Sequence, residues 1–129
     1  MKASNGFGLS SPVKLLRIEL EKSGYKNAIE QVKKLRRANA NFELTETEIN
    51  SWGYLLIKQH KIADALEIFK LNIYLYPESA NAFDSLGEMY AIMDDAAQAI
   101  KNYEQSLKLN PQNKNAEKQI KILQANGRN

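Results

Sequence analysis

The sequence contains a repeat of 34 residues, which limits the folds open to it. When the sequence is shifted by 34 positions against itself, residues 83–90 (FDSLGEMY) fall on residues 49–56 (INSWGYLL). Glycines, alanines and prolines keep register, and large apolar residues are replaced only by large apolar residues. The paired positions are Phe83 with Ile49, Leu86 with Trp52, Gly87 with Gly53, Tyr90 with Leu56, Ala99 with Ala65, Ile100 with Leu66, Tyr103 with Phe69, Leu107 with Ile73, Leu109 with Leu75 and Pro111 with Pro77. Such a period predicts a stack of small, similar structural units.

Each unit is predicted to contain two helices. In the second unit, one apolar stripe with helical spacing runs from Phe83 to Tyr90, and MDD (93–95) interrupts it before a second stripe begins. Proline cannot extend a helix built before it, so Pro111 ends the second helix. Before the first unit, Thr45 is placed to form a capping box with Glu48 three residues later.

Two glycines inside predicted helices need a physical reason. A glycine within a helix costs about 1 kcal/mol relative to alanine. Gly53 and Gly87 occupy the same position in the two units. Close approach of the paired helix, which a side chain would prevent, explains both.

Composition excludes several classes of protein. The chain has no cysteine, which excludes disulfide frameworks, thiol catalysis and cysteine zinc sites. Its start has no signal-like apolar run, and no window approaches the roughly 20 apolar residues of a membrane helix. Residues 1–44 hold nine Lys or Arg against four Asp or Glu, whereas residues 45–129 hold nine against eleven. This uneven charge does not indicate a strong polyanion binder.

The pattern of hairpin, mid-helix glycine, alanine, aromatic residue and closing proline resembles the tetratricopeptide repeat (TPR) over residues 46–113. The resemblance implies an all-α fold of about seven helices, in antiparallel hairpins stacked as a short right-handed superhelix. The organisation that we expect is a flexible segment (1–10), a degenerate hairpin (11–40), a connecting insertion (41–45), two TPR units (46–79 and 80–113) and a capping helix (114–126) that buries Ala116, Ile120 and Leu123.

The repeat also resembles, more narrowly, the short module at the C-terminus of bacterial serine hydrolases of the beta-lactamase-like and esterase types. That resemblance implies an accessory or scaffold domain that packs on a catalytic domain absent from this chain. The sequence leaves two possibilities for the cellular compartment. It is cytoplasmic for the isolated chain, and periplasmic or exported if the chain is part of such a hydrolase.

The residues that could take part in catalysis, metal binding or nucleic-acid binding have simpler explanations. Ser85 lies within a predicted helix, and the only histidine, His60, falls in a turn of the other unit, so no nucleophile and base come together. One imidazole is too few for a typical metal site. KKLRR (33–37) lacks the aromatic residues of a nucleic-acid surface and is expected to be a solvated face. We therefore expect no enzyme, no metal, no cofactor, no nucleic-acid partner and no membrane insertion.

The TPR resemblance implies a function in binding a peptide or partner protein on the concave face. By that resemblance the face is lined by Asn50, Tyr54, Ile57, Lys58, Asp84, Glu88, Ile92, Asn115 and Lys118. Family members that hold a terminal carboxylate use lysine, asparagine and arginine there. Here Asp84 and Glu88 suit a basic or mixed peptide better, unless they form only a solvated face partly neutralised by Lys118. Self-association through Tyr54, expected to be exposed, together with Tyr74 and Tyr76 near the end of the first unit, is a further alternative.

Overall fold

The structure, a computed structural model, describes residues 11–127. The flexible segment predicted for residues 1–10 lies outside them. The described residues form seven α-helices and one short 3₁₀ helix, with no β-strand, so the prediction of an all-α fold is confirmed. The helices are α1 (Ser11–Ser23), the 3₁₀ helix (Tyr25–Asn27), α2 (Ala28–Ala38), α3 (Glu46–Lys58), α4 (Ile62–Leu75), α5 (Ala80–Ile92), α6 (Ala96–Leu109) and α7 (Lys114–Gly127).

The chain divides into two compact units, an N-terminal unit that ends at Leu71 and a C-terminal unit that begins at Asn72. Within residues 11–127, no helix has the length and apolar character needed to cross a membrane.

In the N-terminal unit, α1 packs against α2 and buries Val13, Leu16 and Leu20. The Tyr25 ring meets Trp52 of α3 edge-on, with 5.9 Å between ring centroids. The connection before α3 also enters the core, because its Phe42 and Leu44 are buried. The basic run of α2 is exposed at Lys33, Lys34, Arg36 and Arg37, as predicted for a solvated face.

In the C-terminal unit, α6 packs against both α5 and α7. One cluster of its core contains Ala99, Tyr103 and Ala116, and Ile120 and Leu123 of α7 pack against this cluster. The predicted buried side of the last helix is therefore confirmed.

The 34-residue period extends to the N-caps of three helices. Thr45 Oγ1 accepts a hydrogen bond from the Glu48 amide at 3.2 Å, and the Glu48 carboxylate accepts from the Thr45 amide at 3.0 Å. The predicted capping box is thus present. Ser79 and Asn113, at intervals of 34 residues, cap α5 and α7 in the same way through the amides of Ala82 and Ala116. Each cap satisfies an amide that the helix leaves without an internal partner.

The turns inside the two hairpins are also equivalent. His60 and Asp94 both have left-handed backbone, with φ of 63° and 64°. In each turn the amide of the next residue donates a hydrogen bond to the carbonyl five positions earlier. The Lys61 amide donates to the Leu56 carbonyl, and the Asp95 amide donates to the Tyr90 carbonyl. This is the Schellman arrangement that ends a helix and reverses the chain. The two turns therefore fix the direction of the second helix in each hairpin.

The mid-helix glycines pack as predicted. A Cβ added to Gly53 lies 2.6 Å from the Phe69 ring, and one added to Gly87 lies 2.9 Å from the Tyr103 ring. Both rings are buried, Phe69 at 0% and Tyr103 at 2% exposure, so neither can move aside into solvent. The close approach of the two helices in each hairpin thus depends on the absence of a side chain.

We expect Gly87→Ala to lower the free energy of unfolding by about 2 kcal/mol, because overpacking against Tyr103 outweighs the better helix propensity of alanine. Urea unfolding followed by circular dichroism measures this change. The matched control is Gly127→Ala, where nothing lies within 4 Å and no loss is expected. Equal stability of the Gly87 variant and the parent chain would contradict the packing explanation.

Candidate functional site

A cleft of about 320 Å³ opens in the C-terminal unit between residues of α5, α6 and α7. Helix α5 contributes two apolar residues and one carboxylate, α6 contributes an aromatic ring, and α7 contributes two amides. The lining residues are Glu88, Ala91, Ile92, Tyr103, Asn115 and Gln119. The cleft therefore combines an apolar wall with polar groups from a neighbouring helix.

A hydrogen bond links the two helices that flank the cleft. Asn115 Nδ2 of α7 donates to both carboxylate oxygens of Asp84 of α5, at 3.1 and 3.3 Å. The start of α7 is held by Asn113, whose Nδ2 donates to Ser106 Oγ at 2.8 Å. Ser106 Oγ in turn donates to the Ala80 carbonyl at 2.7 Å. These contacts hold the first turns of α5 and α7 against the end of α6.

The charges at the cleft are acidic. Burial raises the pKa of the Asp84 carboxyl, the hydrogen bond from Asn115 opposes that rise, and the nearby Glu88 carboxylate adds to it. The lining includes one carboxylate, that of Glu88, and no lysine or arginine. Lys118 lies outside the lining and, among the residues described, makes no ion pair with Asp84. Asp84 is therefore hydrogen-bonded by side chains at the start of α7, Asn115 and Asn113, in place of the Lys118 considered from the sequence.

Four of the residues expected from the sequence to bind a partner meet at this cleft. Glu88, Ile92 and Asn115 line it, and Asp84 is bonded to Asn115. Lys118 is exposed elsewhere on α7. Three of the lining residues were not expected from the sequence. Ala91 stands 34 positions after Ile57, Gln119 follows Asn115 by one helical turn, and Tyr103 had been assigned to the core alone.

The other four expected residues lie on α3, in the N-terminal unit. Asn50 and Ile57 are partly buried there, and Lys58 is exposed. Tyr54 is only partly exposed, because its ring packs edge-on against Phe69 of α4 with 5.1 Å between centroids. Tyr54 is therefore less exposed than expected from the sequence, and self-association through Tyr54, Tyr74 and Tyr76 stays a prediction. Tyr74, by contrast, is 46% exposed.

The residues considered for catalysis or metal binding lie within a helix and in a turn. Ser85 is 5% exposed within α5, and His60 lies exposed in the turn after α3. Across the described ranges, no three His, Cys, Asp or Glu side chains gather in a way that could hold a metal ion.

The raised pKa of Asp84 predicts a dependence of stability on pH. The folded state holds the Asp84 proton more tightly than the unfolded chain, so the contribution of this group is present below its ordinary pKa of 3.8 and is lost as pH rises through the folded value. We expect Asp84→Asn, whose amide oxygen can still accept from Asn115, to gain stability relative to the parent chain as pH rises from about 3 to about 7. Urea midpoints across that range measure the difference, with Asp94→Asn as a control for charge at an exposed turn. A stability difference between Asp84→Asn and the parent chain that does not change in favour of the variant between about pH 3 and about pH 7 would contradict this interpretation.

Comparison with known proteins identifies the fold. No protein-family profile and no curated protein sequence matches the chain. Among solved structures, the first TPR domain of Spaghetti (RPAP3), bound to the HSP90 peptide SRMEEVD, is similar with a TM-score of 0.62 and 18% identity, over 96% of this chain and 100% of that one.

Structures of longer proteins are also similar to this chain. A tetratricopeptide repeat protein from Parabacteroides merdae matches with a TM-score of 0.61 and 17% identity, over 87% of this chain and 44% of that one. Naa15/Naa10 bound to HypK-THB matches with a TM-score of 0.60 and 21% identity, over 90% of this chain. This chain covers only 17% of that larger one. The chain therefore has a TPR-like fold of helical hairpin repeats.

Proposed function

We propose that this chain is a non-catalytic protein-interaction module whose C-terminal unit binds an extended peptide segment of a partner protein in the cleft. The observation that carries the proposal is the cleft itself, which brings Glu88, Ile92 and Asn115 together from two helices that are not adjacent in sequence. Two structures with the same fold support it, since one holds an HSP90 peptide and another holds HypK-THB.

A contiguous apolar surface rimmed by polar residues is typical of a binding site, and Ala91, Ile92 and Tyr103 line one cleft together with polar side chains. Ile92 is 46% exposed at the end of α5, next to the Glu88 carboxylate one turn earlier. An extended peptide can cover such a side chain and hydrogen-bond to the amides of Asn115 and Gln119 at the same time.

The charge of the cleft distinguishes the proposed partner from the peptide held by the Spaghetti domain. The peptide SRMEEVD is rich in carboxylates. Here Asp84 and Glu88 lie one turn apart on α5 and no cation lines the cleft, so an acidic peptide is repelled. A basic or mixed segment is the better ligand.

The proposal is tested by selecting binders from a displayed library of random twelve-residue peptides and measuring their affinity by fluorescence anisotropy. We expect Ile92→Lys to weaken binding of the selected peptides by about tenfold, because covering a half-exposed isoleucine contributes roughly 1 to 1.5 kcal/mol. Met93→Lys is the matched control, since Met93 is 41% exposed at the next position and does not line the cleft.

Retention of full affinity by Ile92→Lys, or equal loss in both variants, would place binding elsewhere. Thermal unfolding of each variant verifies that both remain folded.

A further inference from the structure

We propose that the hairpin of α1 and α2 carries a second docking surface, on which the outer face of α1 binds an amphipathic helix of a partner protein that bears acidic side chains. This surface lies in the N-terminal unit, and its partner has the charge opposite to that proposed for the ligand of the cleft. The inference does not depend on the cleft or on what binds there.

The apolar part of the surface is formed by Leu15 and Ile18, one helical turn apart on α1. Both side chains are about half exposed, although α1 buries Val13, Leu16 and Leu20. Residues three apart on a helix lie on one face, so the two side chains form a single apolar stripe on the side away from the core. Scattered exposed apolar residues are ordinary, whereas neighbouring ones on one helix face are typical of a surface that another helix covers.

The stripe ends in polar residues along the same face. Ser11 precedes Leu15 by four positions, and Lys22 follows Ile18 by four, so both share the face of the stripe. Both are exposed, and Lys22 takes part in no ion pair within residues 11–127. A helix that covers the stripe therefore meets an available cation at the end of α1, where a carboxylate of the partner can pair with it.

The charge of the hairpin determines the kind of partner. Residues 11–38 hold eight Lys or Arg and three Glu, an excess of five positive charges. Two of the three carboxylates are already engaged within the hairpin. Tyr25 Oη donates to the Glu21 carboxylate at 3.0 Å. Glu30 pairs with Lys33 at 3.5 Å. The hairpin does not balance its own positive charge, which favours an acidic partner.

The end of α2 contributes the exposed Arg36 and Arg37. Neither arginine has a carboxylate within four positions along the chain, and neither forms an ion pair among the described residues. The planar guanidinium group of arginine can bind a carboxylate through two parallel hydrogen bonds. The basic run of α2 lacks the aromatic residues that stack on bases. The carboxylates of a protein are therefore the anions that this hairpin favours, ahead of a nucleic acid.

The test selects binders from a displayed library of helix-forming peptides with randomised surface positions, using the full chain with Ile92→Lys so that ligands of the cleft are disfavoured. We expect the selected peptides to be enriched in Asp and Glu. In fluorescence anisotropy, Ile18→Gln is expected to weaken their binding about fivefold, as for uncovering the exposed half of an isoleucine. The matched control is Ile122→Gln on α7, which removes an isoleucine of similar exposure and is expected to leave the affinity unchanged.

A second pair of variants tests the charge. Lys22→Gln is expected to weaken binding by about twofold to threefold at low salt, as for an exposed ion pair. The loss is expected to vanish at about 1 M NaCl, where exposed charges are screened. Lys101→Gln removes an exposed lysine of α6 and is the matched control. A peptide whose Asp and Glu are replaced by Asn and Gln is expected to lose the dependence on Lys22.

The outcomes separate this proposal from that for the cleft, which stands or falls on Ile92 alone. Equal binding to Ile18→Gln and to the starting chain, or selected peptides with no excess of acidic residues, would overturn the docking surface. Two further results would also overturn it. Lower thermal stability of peptide-free Ile18→Gln, with none in Ile122→Gln, would assign the stripe to a contact within the chain. A dimer in sedimentation that Ile18→Gln dissociates would assign it to a second copy.

Discussion

The close contact between a helix glycine and a buried aromatic ring is the interaction on which the rest of this structure depends. Phe69 lies against Gly53 and Tyr103 lies against Gly87. Each contact lets two helices of a hairpin approach more closely than any side chain at the glycine would permit. The equivalent caps at Thr45, Ser79 and Asn113 and the two Schellman turns then start and end the helices at matching positions.

In the C-terminal unit the same contact also shapes the cleft. The Tyr103 ring that meets Gly87 is a lining residue of the cleft, beside Ala91 and Ile92 of α5. The second wall comes from α7, whose Asn115 is bonded to Asp84. The packing that stabilises the hairpin and the surface offered to a partner therefore share one aromatic residue.

The 34-residue period and its glycines were enough to predict the all-α fold, the hairpins and the glycine packing, because those features depend on local spacing. The exposure of Tyr54 was predicted wrongly. The spacing of apolar residues along a helix does not show whether a ring at the edge of the apolar stripe packs against the neighbouring helix or stays in solvent. The bond from Asn115 to Asp84 was missed because it joins residues 31 positions apart whose orientations depend on tertiary packing. The narrower resemblance to the hydrolase module, the boundaries of the repeat units and self-association through Tyr54, Tyr74 and Tyr76 stay predictions.

Nuclear magnetic resonance can show whether a partner peptide binds in the cleft of the C-terminal unit. A ¹⁵N-labelled chain is titrated with a library-selected peptide, and changes in the backbone amide shifts are mapped on the sequence. We expect the largest changes at Ala91, Ile92, Asn115 and Gln119. Largest changes in α1 and α2, with these four amides unmoved, would contradict it.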